Sequence, residues 1–183
     1  MLTLKQEGFT LLEAMAVVAI VAILAAIGVP SLQNWIVTQQ VRAKTESILN
    51  GMQIARAEAI KRNTRVNFTV SANTSWNVGC VTVVADADGD GIPECPGVIQ
   101  SKSASEGGTV DSLTLIPLGA TQATFNGVGT LTANADGSAS LTQIDISKSG
   151  YGYSAHLRVT LTSGGQSRKC DPNITTTGAP EKC

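Results

Sequence analysis

Hydrophobic and polar residues fall into three regimes along the chain. From Phe9 to Val29 the run is apolar apart from Thr10, and Glu13 is the ionisable residue inside it. At about 1.5 Å per residue, such a helix spans about 31 Å, which matches the hydrocarbon thickness of a bilayer. From Ser31 to about Arg62 the text reads SLQNWIVTQQVRAKTESILNGMQIARAEAIKR. Here Val41, Ile48, Met52, Ala55 and Ala59 recur on one helical face, and Gln, Ala, Glu, Lys and Arg are good helix formers. The two stretches predict one helix of about 80 Å. An interruption is expected at Gly28-Val29-Pro30, because Pro30 cannot donate to the carbonyl of Ala26, so a kink or local unwinding follows. The first half is apolar all round; the second is amphipathic and must lie on the C-terminal part of the chain.

After Asn63 the period changes. Arg65–Val70, Trp76–Ala85, Leu113–Ile116, Ala123–Asn126, Ser138–Ile146 and Ala155–Thr162 are short runs rich in Val, Ile, Thr and Leu, separated by Gly, Asn, Asp, Ser and Pro. Turns such as Asp136-Gly137 suggest antiparallel hairpins, and Ser101–Thr109 reads as a mobile loop. The predicted class is therefore α+β: a long N-terminal helix, kinked near Pro30, packed on an antiparallel β domain. Its parts are 9–30 as the membrane-length segment, 31–62 as the amphipathic helix and 63–183 as the globular domain.

Composition narrows the picture. The chain has 13 Lys+Arg against 14 Asp+Glu, so no global field draws it to nucleic acid or to anionic lipid. An apolar fraction of 43% excludes disorder. The cysteines, at 80, 95, 170 and 183, form no Cys-x-x-Cys pair, and there is one His, which argues against structural zinc. An even Cys count behind an N-terminal membrane signal points to an oxidising compartment. Three connectivities are open, and the expected one is the two local loops, Cys80–Cys95 and Cys170–Cys183, each bracketing a Gly/Pro-rich segment. A cleaved secretory signal fits poorly: Lys5 is offset by Glu7, and no A-x-A site follows the apolar run.

Gly8-Phe9-Thr10-Leu11-Leu12-Glu13, followed by the apolar run to Pro30, resembles the type IV prepilin signature. Other segments resemble the GspH/FimT branch of minor pilins and pseudopilins. They are Ala55-Arg56-Ala57-Glu58-Ala59, Trp76 to Gly79, the Asp-rich stretch after Ala85, Phe125-Asn126-Gly127-Val128-Gly129, and Gly164 to Pro172. The resemblance implies a leader at 1–8, cleaved after Gly8 by a prepilin peptidase, and N-methylation of the new terminus at Phe9. It implies residence in the inner membrane with a periplasmic domain, then extraction by the assembly platform into a filament. Its partners would be other minor pilins and the major pilin. In that filament Glu13 would pair with the Phe9 ammonium of a neighbour, because a buried charge is tolerable when partnered and heavily penalised otherwise. The simpler role for Glu13 is to complement the helix dipole, worth about 0.3–1 kcal/mol.

Two further candidates carry chemistry. Asp86, Asp88 and Asp90, with Gly91 in sixth place, match the first half of a calcium loop, but Gly97 stands where the bidentate Glu belongs. The expected reading is an Asp/Gly turn, with weak calcium binding as the alternative and no other metal or cofactor implied. The tail is similar to the Gly-Arg-x-Arg element of DNA-binding relatives, but reads Gly165-Gln166-Ser167-Arg168-Lys169. Arg168 and Lys169 give a small phosphate footprint without an aromatic platform. His156 lies in an alternating strand pattern with no nucleophile context, so no enzymatic role is expected. The function implied is a structural minor pilin that primes assembly or joins a tip complex. The alternatives are a DNA-receptor pilin for transformation and a type II secretion pseudopilin.

Overall fold

The computed structural model describes residues 10–86, 89, 93–106, 108–150 and 153–183. Helix α1 runs from Leu11 to Arg62, 52 residues, or about 78 Å at about 1.5 Å per residue. Among the described residues the apolar side chains of its first half are exposed, and its second half is the spine of the core. Val41, Ile48, Met52, Ala55 and Ala59 are all buried, as the period required, and Val37, Thr45 and Gly51 join them.

Of the two outcomes expected at Gly28-Val29-Pro30, a kink or local unwinding, the unwinding does not occur. The helix passes through Pro30 without unwinding. One proline removes a single i→i−4 bond, and the intact turns on either side keep the backbone helical. At the other end Asn63 adopts a left-handed conformation, φ 46°, and its N–H returns to the Ile60 carbonyl. Lys61 and Arg62 complement the dipole of the last turn.

Nine strands among the described residues follow: β1 Val66–Val70, β2 Trp76–Cys80, β3 Gln100–Lys102, β4 Ser112–Ile116, β5 Gln122–Phe125, β6 Leu131–Thr132, β7 Gln143–Gly150, β8 Tyr153–Leu161 and β9 Ser167–Cys170. They form two antiparallel sheets, ordered β3-β2-β1-β5-β6 and β4-β7-β8-β9. Both pack on α1, and a single core runs from Val66, Phe68 and Val78 of the first sheet to Ile144, Ile146 and Val159 of the second. Strand β1 shows strict alternation, with Val66, Phe68 and Val70 inward. The chain is thus α+β, with an apolar helix on antiparallel sheets.

Several expected bounds shift, each for a physical reason. Strand β2 ends at Cys80 rather than Ala85, because the chain turns into the Cys80–Cys95 loop, where the Cys80 N–H donates to the Pro96 carbonyl. Strand β7 starts at Gln143 rather than Ser138, since the preceding residues cross between sheets: Leu141 N–H donates to Gln122 O, and Thr142 N–H to Ile116 O. The Asp136-Gly137 turn serves this crossover rather than a hairpin, and buried Asn134 organises it, accepting from the Thr124 hydroxyl at 2.9 Å. Part of the expected Ser101–Thr109 loop belongs to β3, and Ala104 and Glu106 are fastened to the helix. Lys44, 2% exposed, donates to the carbonyls of Ala104 and Glu106, both at 2.6 Å. Burial pulls the Lys44 pKa down, assisted by Lys102 and opposed by Glu106.

Gly51 decides the fit between helix and sheet. A Cβ there would stand 2.7 Å from Phe68 Cε2 and 3.0 Å from Trp76 Cδ2, two rings that pack against each other. Helix propensity alone makes Gly51→Ala stabilising by about 1 kcal/mol, whereas overpacking costs about 1–3 kcal/mol. We expect the clash to win. Thermal unfolding of the detergent-solubilised chain should show a Tm lower by a few degrees, and a raised Tm would refute this packing.

Candidate functional site

The N-terminal end of α1 is built as a capped helix. Thr10 is the N-cap, with extended φ/ψ, and its hydroxyl oxygen accepts the Glu13 N–H at 3.3 Å. Glu13 therefore sits in the first turn, where the macrodipole favours a carboxylate. Thr10-x-x-Glu13 is also the spacing of a capping box, a signal readable in the sequence but not used in predicting the helix start. Gly8 and Phe9 lie outside the described residues. From Leu11 onwards the apolar side chains of the first half are exposed on every face of the rod, and the described chain offers them no cover.

The second assembly lies where α1 meets the two sheets. Three segments far apart in sequence converge there: the helix around Arg56, the Phe125–Gly129 turn and the Gly164–Arg168 turn. Arg56 Nε donates to the Gly129 carbonyl at 2.9 Å. Gly165, φ +76°, lies against the same carbonyl, and a Cβ on it would come within 2.0 Å of the oxygen. No side chain fits between the two turns, so glycine is required by space as well as by backbone angle. Beside this junction opens a groove of about 450 Å³, lined by Gln53, Arg56, Ile60, Gln166 and Arg168 among others.

The tail cations are both engaged. Arg168 Nη2 donates to the Lys182 carbonyl at 3.1 Å, and Lys169 Nζ pairs with Glu46 of the helix at 2.6 Å. Lys169 is thus paired at the surface, while Arg168 shares its groove with Arg56, which lies in a segment of family resemblance but was not expected as a site residue. Only the fold brings it alongside, so the sequence carried no direct signal for it.

The disulfides are Cys80–Cys95 and Cys170–Cys183, the two local loops. Arg62 of the helix donates to the Glu94 carbonyl, tying the first loop to α1. Within that loop Asp86 Oδ1 accepts the Gly89 N–H at 2.6 Å, a turn contact. Asp88 and Asp90 lie outside the described residues. Among the described residues, no group of three or more His, Cys, Asp or Glu side chains is placed to hold a metal ion.

On the outer face of the four-stranded sheet, Asp145 is the best-held carboxylate. Arg158 donates to it through Nε at 2.6 Å and Nη2 at 3.1 Å, and Gln143 donates at 2.8 Å. His156 Nε2 stands 3.7 Å away. Partial burial alone would raise the Asp145 pKa, but the hydrogen bonds from Arg158 and Gln143, with the Arg158 and His156 charges, hold it below the usual carboxylate range. The sequence concealed this pair, because Asp145 and Arg158 face each other only through the β7–β8 register.

Comparison with known proteins covers both ends of the chain. Residues 44–170 match the family described as "Type II transport protein GspH", and residues 3–29 match the prokaryotic N-terminal methylation motif. Among curated relatives, the "Type IV major alpha-pilin" of Moraxella bovis is 35% identical over 74 residues, covering 40% of this chain and 46% of the relative. The "Type IV major fimbrial protein FimA" of Dichelobacter nodosus is 61% identical over 36 residues, covering 20% and 23%. The "Prepilin peptidase-dependent protein D" of Escherichia coli (strain K12) is 59% identical over 32 residues, covering 18% and 22%. The chain thus spans less than half the length of the curated relatives it matches. No solved structure matches it.

The Asp145 cluster makes a pH prediction with a definite sign. A carboxylate depressed in the folded state contributes stability that is full above the unfolded value of about 3.9 and is lost as pH falls through the folded pKa. Asp145→Asn should therefore cost about 1–3 kcal/mol at pH 7. Denaturant titrations from pH 7 down to 3 should show the deficit shrinking as Asp145 in the unaltered chain protonates. A deficit constant across that range would contradict the assignment.

Proposed function

The chain belongs to the GspH family of type IV pilin-like subunits, and on that premise we propose that it is a minor pilin of a type IV pilus, acting by assembly rather than catalysis. The observation that carries this reading is the helix. Its N-terminal half is an uncovered apolar rod with one carboxylate in its first turn, and its C-terminal half is built into the core of the β domain. Each buried leucine- or valine-sized side chain gains about 1.5–3 kcal/mol over exposure to water, so the rod demands an apolar environment. In the proposed cycle this is first the inner membrane, with the β domain in the periplasm, and then the bundle of helices in a filament. Prepilin peptidase would cleave after Gly8 and Phe9 would be methylated, a course supported by the match to the N-terminal methylation motif. Glu13 would then dock the Phe9 ammonium of a neighbouring pilin and set its register, since an unpartnered buried carboxylate is heavily penalised. The assembly platform would extract the subunit, which would prime the filament or join a tip complex of minor pilins to the major pilin.

Two other readings have specific support. The description of the family matched by residues 44–170 favours a type II secretion pseudopilin, which would use the same helix in a shorter filament. The Arg56–Arg168 groove favours a DNA-receptor pilin, although the engagement of Lys169 by Glu46 reduces the free charge. One set of strains separates them: a deletion, Glu13→Val, and Arg168→Ala/Lys169→Ala. Assembly priming predicts loss of surface pili on deletion, poor incorporation of Glu13→Val, and normal DNA uptake in the double substitution. Intact pili with lost DNA uptake would favour the receptor. Intact pili with lost protein export would favour the pseudopilin.

A further inference from the structure

The two tryptophans of the chain are treated in opposite ways. Trp76 is buried, packs on Phe68 and donates its indole N–H to the Ser47 hydroxyl at 2.8 Å. Trp35 is 59% exposed and stands on α1 beyond Pro30, with Leu32 57% and Ile36 42% exposed beside it. The next residue, Val37, is buried against the body of the domain, close to Gly150 at the end of β7. Leu32, Trp35 and Ile36, spaced i, i+3 and i+4, therefore share one helical face as a partial apolar collar that continues the uncovered rod up to the point where the domain begins.

The position of that collar relative to Glu13 is informative. The rise from Glu13 to Trp35 is about 33 Å at about 1.5 Å per residue, against a hydrocarbon core of about 30 Å. Both residues can then occupy opposite interfaces of one bilayer with little tilt. Glu13 is a carboxylate that hydrocarbon rejects. Trp35 is an amphipathic ring of the kind enriched at headgroup depth, where the apolar body is covered and the N–H meets water or phosphate. Leu32 and Ile36 are suited to the acyl boundary just beneath or beside it. The occupant that fits the collar is a phospholipid surface, because the collar is continuous with the membrane-length segment and ends where protein cover begins.

We propose that Trp35, with Leu32 and Ile36, is an interfacial anchor that seats the unassembled subunit upright, with its β domain on the headgroup layer and Glu13 at the opposite interface. This rests on the membrane residence described above. It adds a function for residues outside the signature motif: they fix the depth from which the subunit is withdrawn. It also brings the domain edge near Gly150 and Gly108, which packs on Gln40 of the helix, close to the bilayer.

The test uses the full chain reconstituted in phosphatidylethanolamine/phosphatidylglycerol vesicles. Trp76→Phe leaves Trp35 as the fluorophore, and a Trp35→Phe chain supplies the Trp76 signal for subtraction should the first variant lose its fold. Phospholipids brominated near the headgroup end of the acyl chain should quench Trp35 about twofold or more beyond those brominated near the methyl end, with weak quenching by aqueous acrylamide. Vesicle flotation is measured on the same sample. A chain that floats with Trp35 fully quenched by acrylamide, or quenched best by the deepest bromines, overturns the anchor and leaves membrane residence intact. Blue-shifted emission that ignores bromine position and follows protein-to-lipid ratio would assign the collar to a second copy, and also overturns it. Failure to float overturns membrane residence itself, and the anchor with it.

Discussion

An apolar rod that cannot remain in water constrains everything else in this molecule. The first half of α1 exposes leucine, isoleucine, valine and methionine on all sides, and the β domain reaches none of them. At about 25 cal/mol per Å² of apolar surface, leaving such a rod in water would cost more than the roughly 5–15 kcal/mol by which domains are usually stable. Two environments relieve it, lipid and other rods of the same kind. They make different demands on Glu13: a bilayer lets the carboxylate rest at the interface, while a helix bundle surrounds it and requires a partner charge. The residue that is awkward in one environment can therefore select geometry in the other.

The rod and the domain are joined through one continuous helix. The helix continues past Pro30 into the core without losing its helical assignment. Lys44, Arg56 and Arg62 each donate from the helix to backbone carbonyls of the β domain or its loops. Gly51 lets two aromatic rings approach the helix axis, and Gly129 with Gly165 lets two turns close over Arg56. A pull on the first half is thus transmitted to the sheets through packed backbone rather than through a flexible linker. The disulfides Cys80–Cys95 and Cys170–Cys183 each close a local loop.

What could be read from the sequence, and what could not, follows the range of the interactions. The helix and its buried stripe depend on residues three and four apart, so Val41, Ile48, Met52, Ala55 and Ala59 were legible. Longer strands with alternating Val, Ile and Phe, such as β1, were legible for the same reason. Strands β3, β6 and β9 were not, because QSK, LT and SRKC carry no alternation and become strands only by pairing with a formed neighbour. The convergence of Arg56, Gly129 and Gly165 could not be derived from spacing, although each lies in a segment with family resemblance. The Thr10-x-x-Glu13 spacing of the helix start is local and legible for the same reason as the stripe.

The central claim is that this helix is made first to sit in a membrane and then to be built into a filament from a trimmed, methylated terminus. Its most direct test is mass spectrometry of the N-terminal peptide of this chain, taken from sheared and washed surface filaments. The account predicts a peptide beginning at Phe9, heavier by one methyl group and present in the filament fraction. A chain that keeps residues 1–8, or a processed chain confined to the membrane fraction of a piliated cell, would contradict it.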